Sequence, residues 1–227
     1  MKFNWMKWSV LPAAILLVGG AAMAQDQSSS GGQSSSSQSG SSATPPTAPA
    51  EKPKPTVAQR KENQQDRIAN GVKSGQLTAG ETANLEKKEA GINKETAADR
   101  AANGGKLTSA EKQQINKQQN GMSKQIYADK HNANTAHYGN NKVGQRRENQ
   151  QDRIAQGIKS GQLTAGETAK LENQQKGINK QVAADRKANG GKLNANEKKQ
   201  INKEQNGASR NIYRKKHNAK TQPQAKQ

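Results

Sequence analysis

The sequence predicts an all-α protein: two tandem three-helix repeat units behind a disordered leader. Residues 59–133 align with 145–219 at a constant offset of 86, with about seven positions in ten identical. Within each long repeat an element G-x-L-[T/N]-x-x-E occurs twice, about 30 residues apart. Its chemistry is that of a helix start: Gly permits a tight turn, Leu anchors, Thr or Asn caps, and Glu three residues on closes a capping box. Between these starts the apolar residues fall at helical spacings, as with Ile68 and Val72, Leu85 and Ile92, and Ile115, Met122 and Ile126.

The chain has 227 residues, a net charge of +19 and no cysteine, and its mean hydropathy is −1.17. Residues 1–24 read as a secretory signal peptide, with Lys2 and Lys7 before an apolar stretch and Ala22-Met23-Ala24 as the cleavage site. Without that segment the chain has no Phe and no Trp, and its charge is +17. Residues 25–56 run from Ser/Gly-rich into Pro-rich, a composition that predicts a flexible coil and then a stiffer spacer.

Helices are predicted over 57–73, 79–103 and 109–131 in the first repeat (57–133) and over the matching stretches of the second (145–219). A linker spans 134–144, and a basic tail closes the chain at 220–227. The structural helix caps are Thr78 with Glu81, Thr108 with Glu111, Thr164 with Glu167, and Asn194 with Glu197. Asn103-Gly104-Gly105 marks a helix end. The core expected of the first repeat is Ile68, Val72, Leu77, Leu85, Ile92, Leu107, Ile115, Met122 and Ile126, a thin one for its length. Gly71, Gly91 and Gly121 recur as Gly157, Gly177 and Gly207 within helical patterns. Each costs about 1 kcal/mol against Ala, so close helix crossings are expected there.

Signals for catalysis are missing. There is no G-x-S-x-G, P-loop, H-E-x-x-H or cysteine nucleophile, so neither an enzyme nor a cofactor nor a metal is expected. The Asp-Arg pairs at 66–67, 99–100, 152–153 and 185–186 are expected to form ion pairs between helices with the capping glutamates, since adjacent helical residues face apart. The repeated Ile-Tyr-x-x-Lys-His-Asn at 126–132 and 212–218 reads as a helix C-terminus, where Lys and His suit the dipole.

Charge is the remaining signal. Residues 57–133 carry 13 basic and 9 acidic residues, whereas 145–219 carry 17 and 7. The excess gathers at Arg210, Arg214, Lys215, Lys216 and Lys220, the candidate anion-binding residues. The expected partner is an anionic polymer or membrane surface, with extracellular nucleic acid, bound without sequence specificity, a further candidate. Scarce aromatics argue against stacking on single-stranded bases.

The unit Arg67-Ile68-x-x-Gly71-x-x-x-Gly75-x-Leu77-Thr78-x-x-Glu81 resembles uncharacterised exported bacterial proteins with the same helical repeat, a likeness that implies no activity. The four L-[T/N]-x-x-E elements are also similar to the LTxxQ motifs of periplasmic stress chaperones of the Spy/CpxP type, with Glu in place of Gln. That likeness implies an all-helical client-binding protein. Gly75, Leu77 and Glu81, like Gly105, Leu107 and Glu111, resemble the back half of an EF-hand loop, but the front half offers no carboxylates. The function expected is an exported, non-enzymatic structural or interaction protein that binds anionic envelope or extracellular polymers through its basic second repeat. The alternative is a small periplasmic chaperone or stress-response protein.

Overall fold

The computed structural model describes residues 54–222. The signal segment, nearly all of the 25–56 leader and the last five residues of the basic tail lie outside the described residues. Six α-helices make up the fold, with no strand among the described residues: α1 (Val57–Lys73), α2 (Ala79–Ala102), α3 (Ser109–Lys130), α4 (Lys142–Lys159), α5 (Ala165–Ala188) and α6 (Ala195–Lys216).

The repeated element starts a helix in all four places. Thr78, Thr108, Thr164 and Asn194 each accept from the N–H of the glutamate three residues on, and each glutamate accepts from the cap's own N–H. Two further caps escaped the pattern because no Leu precedes them. Thr56 and Gln59 form a capping box on α1, and Asn141 caps α4 by accepting from Gly144 N–H at 3.1 Å. At the end of α2, Gly104 and Gly105 take positive φ of 61° and 88°, and Gly105 N–H reaches back to the Arg100 carbonyl at 2.7 Å.

One apolar core serves both repeats. Ile68, Val72, Leu77, Leu85, Ile115 and Ile126 of the first join Ile154, Ile158, Leu163, Leu171 and Ile212 of the second in a single cluster. Helix α2 packs on α5, and α1 packs on α4. Each helix of these pairs meets its own copy, the pattern of an isologous contact between like subunits. Helix α3 packs on α1 and α2, and α6 packs on α4 and α5. A smaller cluster of Val143, Ile178, Val182, Leu193, Ile201 and Ala208 fills the space beside α6. A core too thin within one repeat is thus pooled across two. The anchoring leucines follow expectation at 77, 163 and 193, but Leu107 is only partly buried.

The recurring glycines divide, and helix crossings explain none of them fully. A Cβ on Gly71 would lie 2.7 Å from Leu77 Cδ1, and one on Gly157 would lie 2.6 Å from Leu163 Cδ1. The close approach there is the anchor leucine folding back on its own preceding helix. Gly91, Gly121, Gly177 and Gly207 meet nothing within 4 Å, so the expected crossings do not occur at those four.

Buried polar side chains run through the middle of the bundle. Gln64 Nε2 donates to the Gln119 carbonyl at 2.6 Å, and Gln150 Nε2 donates to the Gln205 carbonyl at 2.7 Å, clamping α1 to α3 and α4 to α6. Gln65 and Gln151 donate to the carboxyl groups of Glu86 (3.3 Å) and Glu172 (2.9 Å), both fully buried on α2 and α5. One oxygen of each carboxyl has no hydrogen-bond partner. Burial pushes Glu172 up to about 8. Burial, with Glu89 and Glu172 adding to it, pushes Glu86 well above the ordinary carboxylate range.

Candidate functional site

Seven cations and two acids lie on α6, against four cations and two acids on α3. Lys199, Lys203, Arg210 and Arg214 are exposed and follow one another at spacings of four, seven and four residues, which places them on one stripe of the helix. Three of the four, together with Lys198, line an open groove of about 1610 Å³ between α5 and α6. The opposite wall is supplied by Gln174, Gly177 and Gln181 of α5, and Glu204 is the only acid in the lining. The helical glycines Gly177 and Gly207 both border this groove, and a Cβ at either would meet nothing within 4 Å.

The five basic residues singled out in the sequence do not form one cluster. Arg210 lines the groove, and Arg214 continues the stripe beyond it, donating to Asn211 Oδ1. Lys216 turns away and is half-buried: its stem covers Gly157, and its Nζ donates to Gln156 Oε1 at 3.0 Å. Burial and then the nearby Arg153 lower its proton affinity. Lys215 faces the capping glutamate of α5. Partial burial pushes Glu167 up, but Asn218, Thr164 and then Lys215 together hold it below the ordinary range. Lys220 is exposed beyond the helix end. Lys198, Lys199 and Lys203 were the residues missed, although their spacing from Arg210 on a predicted helix was a usable signal.

The glutamates of the helix starts are occupied within the fold. Glu81 Oε2 accepts from Thr78 N–H at 2.9 Å, and its Oε1 accepts from Asn132 Nδ2 at 2.7 Å. Glu167 is held by Asn218 in the same way, and Glu111 and Glu197 by Asn103 and Asn189. Asparagines therefore stand where ion pairs with the Asp-Arg units were expected. Arg67 and Arg153 donate instead to the carbonyls of Ser123 and Ser209, at 3.2 and 3.4 Å. The Lys-His-Asn ends act through those asparagines, while His131 and His217 stack on Tyr127 and Tyr213 at 4.1 and 4.2 Å. Among the described residues, no three His, Cys, Asp or Glu side chains converge to hold a metal ion.

No family model, no curated protein and no solved structure matches this chain. Among the described residues only Tyr127 and Tyr213 are large apolar side chains left exposed, at 62% and 58%. No described helix is long and apolar enough to cross a membrane.

Proposed function

We propose that the protein is an exported, non-enzymatic interaction protein that binds anionic envelope or extracellular polymer along α6. The observation that supports this is the stripe of Lys199, Lys203, Arg210 and Arg214 bordering an open groove with a single acid in its walls. A row of cations at helical spacing matches the repeated charges of a linear polyanion and gains by releasing its counterions. Export is inferred from the signal-like residues 1–24. A client-binding chaperone needs exposed apolar surface, and two tyrosines already stacked on histidines offer little of it.

Heparin affinity chromatography tests the proposal. The variant Lys199→Glu, Lys203→Glu, Arg210→Glu, Arg214→Glu should elute at much lower salt than the parent and keep its helical circular dichroism. For about four charge contacts, parent affinity should fall roughly a hundredfold between about 50 and 200 mM salt. Equal elution of parent and variant, or retention indifferent to salt, would overturn it.

A further inference from the structure

The N-terminus of α2 borders an open pocket of about 440 Å³ that is also lined by the 135–138 segment, α4 and α5. Arg147, Lys176, Lys180 and Arg186 line it, and no aspartate or glutamate does. Arg147 is only 5% exposed. Its guanidinium donates to Asn179 Oδ1 at 3.0 Å and to the Tyr138 carbonyl at 2.9 Å, and it lies 5.1 Å from the Tyr138 ring centre. Its Nε is buried with no acceptor, and so is the Tyr138 hydroxyl. Burial and then the neighbouring Arg186 lower its hold on its proton. A buried cation facing other cations, with no anion among them, is costly to maintain. On the opposite wall Ala79 and Gly80 present the first N–H groups of α2, and neither has an acceptor among the described residues. The nearby Glu81 is already engaged by Thr78, Asn132 and Asn134.

The second copy of this corner shows what is missing. At the start of α5, Ala165 N–H donates to Gln222 Oε1 at 3.0 Å. The counterpart of Arg147 there is Lys61; burial lowers its proton affinity, but Glu89 acts in the opposite sense. At the α2 corner, Gln222 is replaced by Ala136 and Glu89 by Gln175, while Lys176 appears where the other copy has Ala90. One amide acceptor and one carboxylate charge are lost and one cation is gained around this corner.

We propose that the α2 corner is a binding site for a phosphate oxyanion, free or as the terminal group of a small phosphomonoester. The anion would stand where Gln222 Oε1 stands in the other copy, against the α2 N-terminus, with Arg147, Lys176 and Lys180 around it. The cavity exceeds what the ion itself fills and leaves room for a sugar-sized body. The site lies apart from the α6 stripe and does not depend on its function.

Calorimetric titration of the full chain with inorganic phosphate, and in parallel with a hexose phosphate, tests this against chloride at equal ionic strength. One saturable site per chain is expected. Tighter binding of the hexose phosphate would identify the phosphomonoester as the source, and equal binding the free ion. Ala136→Gln installs the amide of the other copy, and Lys176→Ala restores its neutral residue. Each should weaken phosphate binding about tenfold or more and leave melting in phosphate-free buffer at or above that of the parent. The fourfold α6 variant should bind phosphate like the parent. Absence of saturable binding, insensitivity to both pocket variants, or loss of binding in the α6 variant would overturn the assignment.

Discussion

Gly71, in the last turn of α1, and Gly121, midway along α3, recur alike in the second repeat, yet their surroundings are opposite. At Gly71 a methyl group would meet Leu77 at 2.7 Å, and Leu77 is itself wedged in the core at 1% exposure. Gly71→Ala should therefore destabilise by about 1–3 kcal/mol, as overpacking does. Gly121 has open space, so Gly121→Ala should stabilise by roughly 1 kcal/mol through helix propensity alone. Urea denaturation of both variants checks the pair, and changes of the same sign would contradict the environments described. Recurrence in sequence marked both glycines equally. It could not show which had a neighbour, because that neighbour is set by where the following loop folds.

At the scale of the helix, partners three or four residues apart were legible wherever a Leu preceded the cap, which leaves out the starts at Thr56 and Asn141, and partners farther off were not. The capping boxes are local and were readable at all four starts; the asparagines that hold their glutamates come from 8 or 51 residues away. Of the four groove cations only Arg210 was legible, because a charge excess along the chain does not show which cations share one face of the helix. Anchoring strength also differs between starts that look alike in sequence. Leu77→Ala removes a fully buried side chain and should cost about 2–4 kcal/mol. Leu107→Ala, at a partly buried position, should cost roughly 1 kcal/mol. Comparable losses in the two melting curves would contradict that difference.

The molecule as a whole is tuned by acids that no sequence pattern flagged, since Glu86, Glu89 and Glu172 look like ordinary charged helix residues. Their burial arises from contacts between the repeats, which periodicity within one repeat cannot show. Burial pushes Glu89 up to about 7, against its neighbour Lys61, and Glu172 up to about 8, from an ordinary 4.5. Folding thus favours their protonated forms: that stability is complete below about pH 4.5 and is lost as pH rises through about 8. The capping carboxylates act the other way. The Thr108 N–H holds Glu111 below its ordinary value, so its contribution is lost as pH falls. Stability should peak in mildly acidic solution and fall by several kcal/mol towards pH 9. Glu172→Gln should flatten that alkaline limb, and a parent whose stability holds level from pH 5 to 9 would contradict it. The shared core has one more consequence. Because α1 and α2 find their partners in α4 and α5, the segment joining the repeats, besides walling the α2 pocket, keeps them at high local concentration. A protease cut within residues 134–140 would leave two fragments that remain mated, and a lone half would pair with a second copy of itself.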